Sequence, residues 1–142
     1  MKIILKNTKI EFKTYVPKLN WTDSELKSAE GYLINAQLDK STGNVYISGQ
    51  LYTSVSPVID LANATQIVAQ AYNKKYIASI AFFNSSVSTN TAVYCINGTS
   101  IGDITETVTV DSETIQAAVA LGADSFRITM NPADVSSVVI TQ

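Results

Sequence analysis

Histidine is absent from all 142 residues, and cysteine and arginine occur once each, as Cys95 and Arg127. Without imidazole the chain cannot build a Ser-His-Asp or Cys-His relay or a zinc site with histidine ligands. A single thiol allows neither an internal disulfide nor a thiolate cluster, and Cys95, set in the apolar run "AVYCING", reads as a buried structural thiol. The glycines, Gly31, Gly43, Gly49, Gly98, Gly102 and Gly122, never take the spacing of a phosphate-cradling loop or a dinucleotide fingerprint. Charge is scarce too: 15% of residues are charged, against roughly a quarter in ordinary globular proteins. From Ser79 to Gly98, "SIAFFNSSVSTNTAVYCING", no charged residue occurs, and the gap extends to Lys75 and Asp103.

The lysines gather in the N-terminal third, and past Lys75 the only basic residue is Arg127. A nucleic-acid surface needs a dense basic stripe, so no nucleic-acid partner is expected. No apolar run reaches the ~18 residues of a membrane span, and "MKIILKNTKIEF" falls short of the ~7 to 15 apolar residues of a signal-peptide core. The expectation is a protein made in the cytoplasm, with no membrane partner.

What the chain does have is strand after strand. Ile10 and Phe12 alternate with Glu11 and Lys13 up to Pro17, where pairing stops. Thr22 and Glu25 stand at capping-box spacing, which predicts a short helix over 23–30 closed by Gly31. From Gly31 the text becomes short strand runs spaced about ten residues apart: "YLINAQLD" and "NVYISGQLYTS" around the turn "DKSTGN", then "SPVIDL", "TQIVAQAYN", "KYIASIAFF", "TAVYCING", "ETVTV", "SFRITM" and "SSVVITQ". That rhythm belongs to an antiparallel sandwich or barrel. One more helix is predicted in "DSETIQAAVALGA", with Ile115, Val119 and Ala118 on one face. Residues 1–30 are read as an attachment or assembly segment, with Ile10, Phe12, Tyr15 and Val16 as its contact residues, and 31–142 as the body.

Catalysis without histidine would need a carboxylate pair, and Asp60, Asp103, Glu106, Asp111, Glu113 and Asp124 are the candidates. Most sit where aspartate is expected for turns and caps, and the acidic run from Asp103 to Glu113 lacks the spacing of a calcium loop. No cofactor, metal or enzymatic activity is expected. Aromatic side chains are the better lead to a ligand, since exposed rings stack on sugars: Tyr72 and Tyr76 bracket "NKK", and Trp21 is the single tryptophan.

Several lines, "GYLI", "SPVIDLANATQI", "YIASIAFFNSS" and "ETVTVDSETIQAAVALGADSFRITM", resemble in order a jelly-roll module of tailed-phage fibre and accessory proteins, including those of crAss-like phages. The resemblance runs from Gly31 to Met130. It rests on Ile59, Asp60 and Leu61, on Ala81, Phe82, Phe83, Asn84 and Ser85, and on Gly122, Ala123, Phe126, Arg127 and Ile128. It implies an all-β jelly-roll sandwich with one or two short helices and an N-terminal arm. The implied role is a non-enzymatic virion component, capsid decoration or head or tail fibre, with other virion proteins and further copies of itself as partners. The alternative is a carbohydrate-binding module that recognises host-surface glycans. Two expectations follow for the core. The uncharged strand around Phe82 should be covered on one face by the opposite sheet; a neighbouring subunit is one candidate for the other face, and hydration by Ser and Asn side chains is the alternative. Arg127 should pair with a carboxylate such as Asp60.

Overall fold

The longest strands form where β-branched and aromatic residues alternate with small polar ones, as period two requires. In the computed structural model, which describes residues 16–49, 53–71, 79–97, 107–133 and 135–142, these strands build two antiparallel sheets. The expected strand through Ile10 and Phe12, and Tyr15, Tyr72 and Tyr76, lie outside the described residues.

The elements run β1 (Asn20–Trp21), α1 (Asp23–Ser28), β2 (Leu33–Ile34), β3 (Ala36–Leu38), β4 (Val45–Ile47), β5 (Ser54–Val55) and β6 (Ile59–Asp60). They continue with β7 (Gln66–Ala71), β8 (Ser79–Phe83), β9 (Tyr94–Asn97), β10 (Thr107–Val110), α2 (Ser112–Ala120), β11 (Ser125–Met130) and β12 (Ser136–Thr141). One sheet has the order β1-β12-β7-β10; the other has β2-β5-β11-β8-β9, with β6 also paired to β11. The pairs β8–β9, β7–β10, β5–β11 and β1–β12 nest inside one another, as in a single long hairpin rolled up on itself. This is the jelly-roll topology expected from the sequence.

Between the sheets, Ile67, Ala69, Val138 and Ile140 meet Ile80, Phe82, Phe126, Ile128 and Met130. Phe82 lies at the centre, its ring centroid 6.3 Å from that of Phe126 and 6.0 Å from that of Tyr94. Each fully buried side chain of this size contributes about 1.5–3 kcal/mol through burial.

The other face of β8 accounts for the missing charges. Ala81 and Phe83 are fully buried against Ala36 and Leu38 of β3, Val55 of β5 and Val45 of β4. The second cover is therefore the chain's own β3–β4 hairpin rather than a neighbouring subunit. At the tip of the hairpin, Gly43 has φ +77° and sits so close to the sheet that a side chain there would come within 2.7 Å of Cys95 Cβ and 2.9 Å of Ala81 Cβ. Polar contacts fix the same interface: Leu38 N–H donates to Thr129 Oγ1 at 3.2 Å, and Ala92 N–H to Asn44 Oδ1 at 2.9 Å.

Both predicted helices are present. In α1 the Thr22–Glu25 capping box forms in both directions, and the helix gives way to extended backbone at Ala29, ahead of Gly31. In α2, Asp111 caps the Thr114 N–H at 2.8 Å, and the buried face carries Ile115 and Ala118, while Val119 is 50% exposed. The division at residue 30 does not hold for the described part of the N-terminal segment. Strand β1 pairs with β12, Leu26 is fully buried in the main core, and Asp23 accepts the Ser136 N–H at 2.8 Å.

Candidate functional site

Arg127 lies on the outer face of β11, opposite Ala81, and is only 3% exposed. Its guanidinium reaches no carboxylate among the described residues. Nε donates to the Ser56 carbonyl at 3.0 Å, Nη1 to the Thr89 carbonyl at 2.9 Å and to Asn90 Oδ1 at 3.4 Å, and Nη2 to the Gly31 carbonyl at 2.7 Å. Asp60, the expected partner, instead accepts the Ala62 N–H at 2.9 Å in a local turn. The reason is geometric. Asp60 lies at the mouth of the strand, where it is exposed, whereas the arginine points under the loops that follow α1, β5 and β8. Burial lowers the arginine pKa from its usual value, and the carbonyl dipoles take the place of a counter-ion. The role is structural.

At the same end of the sandwich, the register that pairs Asp60 with Ser125 sets Asp60 beside Asp124. Their side chains line two adjoining cavities of about 360 and 330 Å³. The larger is bounded by the 61–64 turn, by Ile115 and Val119 of α2 and by Ala123; the smaller runs past Val58 and Ser85. Together they form an open groove with an apolar floor and an acidic rim. The turn is held in an unusual shape: Ala62 and Asn63 have φ of 51° and 56°, a left-handed conformation that costs a non-glycine residue about 1–2 kcal/mol. Asp60 Oδ1 on the Ala62 N–H, and Gln142 Nε2 donating to the Ala62 carbonyl at 2.8 Å, hold it there.

Asp124 is anchored as firmly. Its Oδ1 accepts the Ser85 N–H at 2.9 Å and its Oδ2 the Ser85 hydroxyl at 2.6 Å. Burial works to raise its pKa, but these bonds outweigh it and hold the carboxyl below its usual value. A group held ionised in this way is an acceptor rather than the proton donor that glycoside hydrolysis requires. Of the other carboxylates considered for chemistry, Asp111 is spent on capping α2, Glu113 lies in the first turn of that helix, and Asp103 and Glu106 lie outside the described residues. Among the described residues, no three acidic or thiol groups cluster in a way that would hold a metal ion.

Trp21 is turned inward. Its ring packs on the main core, Lys18 Nζ lies 5.1 Å from the ring centroid, and the indole N–H is buried without a hydrogen-bond partner. A ring held in this way is a poor platform for a sugar. Val16 is 80% exposed. Cys95 is half-buried, and burial followed by the nearby Asp39 charge raises its thiol pKa, as suits an inert structural residue.

Reading for aromatic platforms missed the groove, although its residues were in view. The lines "SPVIDL", "FFNSS" and "LGADSFRI" supply Asp60, Ser85 and Ala123–Asp124, three separate stretches that meet at one end of the fold. The one local signal was Asn63, a residue tolerant of left-handed backbone, placed three residues after the end of β6.

No protein-family model matches the chain, and no curated protein matches it significantly. Among solved structures it is similar to a low-affinity xylan-binding module from the gut symbiont Roseburia intestinalis, at 19% identity, covering 89% of this chain and 96% of that one, with a TM-score of 0.43. A superposition at that level does not transfer a site.

Proposed function

We propose that the protein is a non-enzymatic structural component of a virion, a capsid-decoration or fibre subunit, that works through assembly. The observation that supports this reading is the outer face of the β1-β12-β7-β10 sheet. Its register lines up Val139, Val68 and Thr109 in one row, with Asn20 beside Val139, and Ser137, Gln70 and Thr107 in the next. None of these is charged, and Val139 is 42% exposed. The described side chains of this face, short β-branched and amide groups, carry no charge to desolvate, so burying them against another copy or another virion protein costs little. The jelly roll itself serves in both capsid and lectin domains, so the fold alone does not choose between roles.

The test is the mass of the purified full chain by light scattering, alone and with Val139→Glu. A defined oligomer that the charge dissociates supports assembly through this face. A monomer at every concentration, with no affinity for virion particles, would remove the reading.

A second reading, a carbohydrate-binding module, is favoured by the groove beside Asp60 and Asp124 rather than by the aromatic residues. It is compatible with the first, because a fibre subunit can carry a recognition site on a face that assembly leaves open.

A further inference from the structure

We infer that the groove between the 61–64 turn, α2 and Ser85 binds a neutral, hydroxyl-rich ligand, a single sugar unit held through its hydroxyl groups without an aromatic platform. This rests on the carbohydrate-binding reading and names the site for it.

The groove selects its occupant by what lines it. Asp60 and Asp124 offer acceptors, about four lone-pair positions per carboxylate, and Asn63 adds an amide with both donor and acceptor atoms. Among the described residues no lysine or arginine lines either cavity, so phosphate, sulfate and carboxylate ligands meet like charge there. Ala62 and Val119 give the apolar wall against which the C–H face of a pyranose ring can rest. The carboxylates do not have to reorganise to accept hydroxyl protons, because Ser85 holds Asp124, and the Asp60 bond to the Ala62 N–H fixes the turn. That preorganisation is what makes a small polar site bind at all. A cation fits less well. Calcium takes six to eight hard oxygens, and two carboxylates, one of them already bonded through both oxygens to Ser85, do not supply them.

The experiment is a titration of the full-length, ¹⁵N-labelled protein, followed by amide chemical shifts. The probes are the methyl glycosides of glucose, galactose, mannose and xylose, with calcium chloride as a separate arm. At least one glycoside is expected to move amides of the 60–64 turn, Ser85 and α2. Asp60→Asn should weaken that binding about tenfold, because it replaces a charge-assisted hydrogen bond with a neutral one. Asn63→Gly keeps the left-handed turn and removes the amide, and it should weaken binding severalfold without loss of folding. Shifts confined to the region around Tyr72 and Tyr76 would overturn the groove and leave the carbohydrate reading standing. No response to any glycoside would remove both. Calcium chloride alone reproducing the groove shifts would make it a cation site and overturn the inference.

Discussion

The Nη2 of Arg127 donates to the carbonyl oxygen of Gly31 at 2.7 Å, across 96 residues of sequence. The same side chain holds the carbonyls of Ser56 and Thr89, so one guanidinium ties three loops to the outer face of β11. Replacing it with methionine keeps much of the volume but orphans buried carbonyls, each costing about 1–3 kcal/mol. Arg127→Met is therefore expected to lower stability by about 3 kcal/mol in urea unfolding. Arg127→Lys should recover little of the loss, because one ammonium cannot span carbonyls that a planar fork reaches.

Gly43 gives a test of the hairpin as a cover. An alanine there would strain a backbone at φ +77° and press its methyl group into Cys95, Ala81 and Ala92. Gly43→Ala should cost about 2–5 kcal/mol, the range of overpacking added to left-handed strain. It should also speed the reaction of Cys95 with a disulfide reagent, because the tip of the hairpin must lift from the sheet.

A chain starting at Gly31 would lose β1, the edge partner of β12, together with Leu26 from the core. Removing a buried leucine side chain alone costs about 2–5 kcal/mol. The shortened chain is expected to lack a cooperative thermal transition by near-ultraviolet circular dichroism, whereas a chain starting at Val16 keeps every described element.

Acid should loosen two places. In Glu25 the bond from Lys18 and then those from Thr22 hold the pKa at about 2, down from 4.5, and in Asp124 the bonds from Ser85 bring the carboxyl below 3.8. Both are lowered in the folded protein, so their stabilisation is present above the unfolded values and is lost as pH falls through the folded ones. Stability should be flat from neutral pH to about pH 5 and decline below about pH 4. Asp124→Asn should flatten part of that decline in thermal melts recorded against pH.

Much of the architecture was legible because strand period, turn chemistry and caps are local. Thr22 with Glu25 predicted α1, the run "DSETIQAAVALGA" predicted α2, and "DKSTGN" predicted the β3–β4 hairpin. What stayed hidden depends on the placement of elements far apart in sequence. Apolar residues on both faces of β8, Ile80 and Phe82 on one and Ala81 and Phe83 on the other, told that a second cover existed, but no local pattern tells that residues 36–47 of the same chain supply it. Arg127 was singled out for its solitude, yet three of its four acceptors are main-chain carbonyls, which every residue carries and no sequence marks. The groove escaped for the same reason: its two aspartates are 64 positions apart and meet only through the pairing of β6 with β11.

The hairpin also bears on how the protein survives its own synthesis. Strand β8, "SIAFF", is uncharged, free of proline and glycine, and rich in residues that favour extended backbone, the composition of segments that seed cross-β aggregates. Natural chains usually flank such segments with charged gatekeepers, and here the nearest charges are Lys75 and Asp103. The short hairpin does the guarding instead. Variants that loosen it should therefore accumulate as inclusion bodies out of proportion to their loss of equilibrium stability, with insoluble yield in the host cell tracking how often the cover lifts.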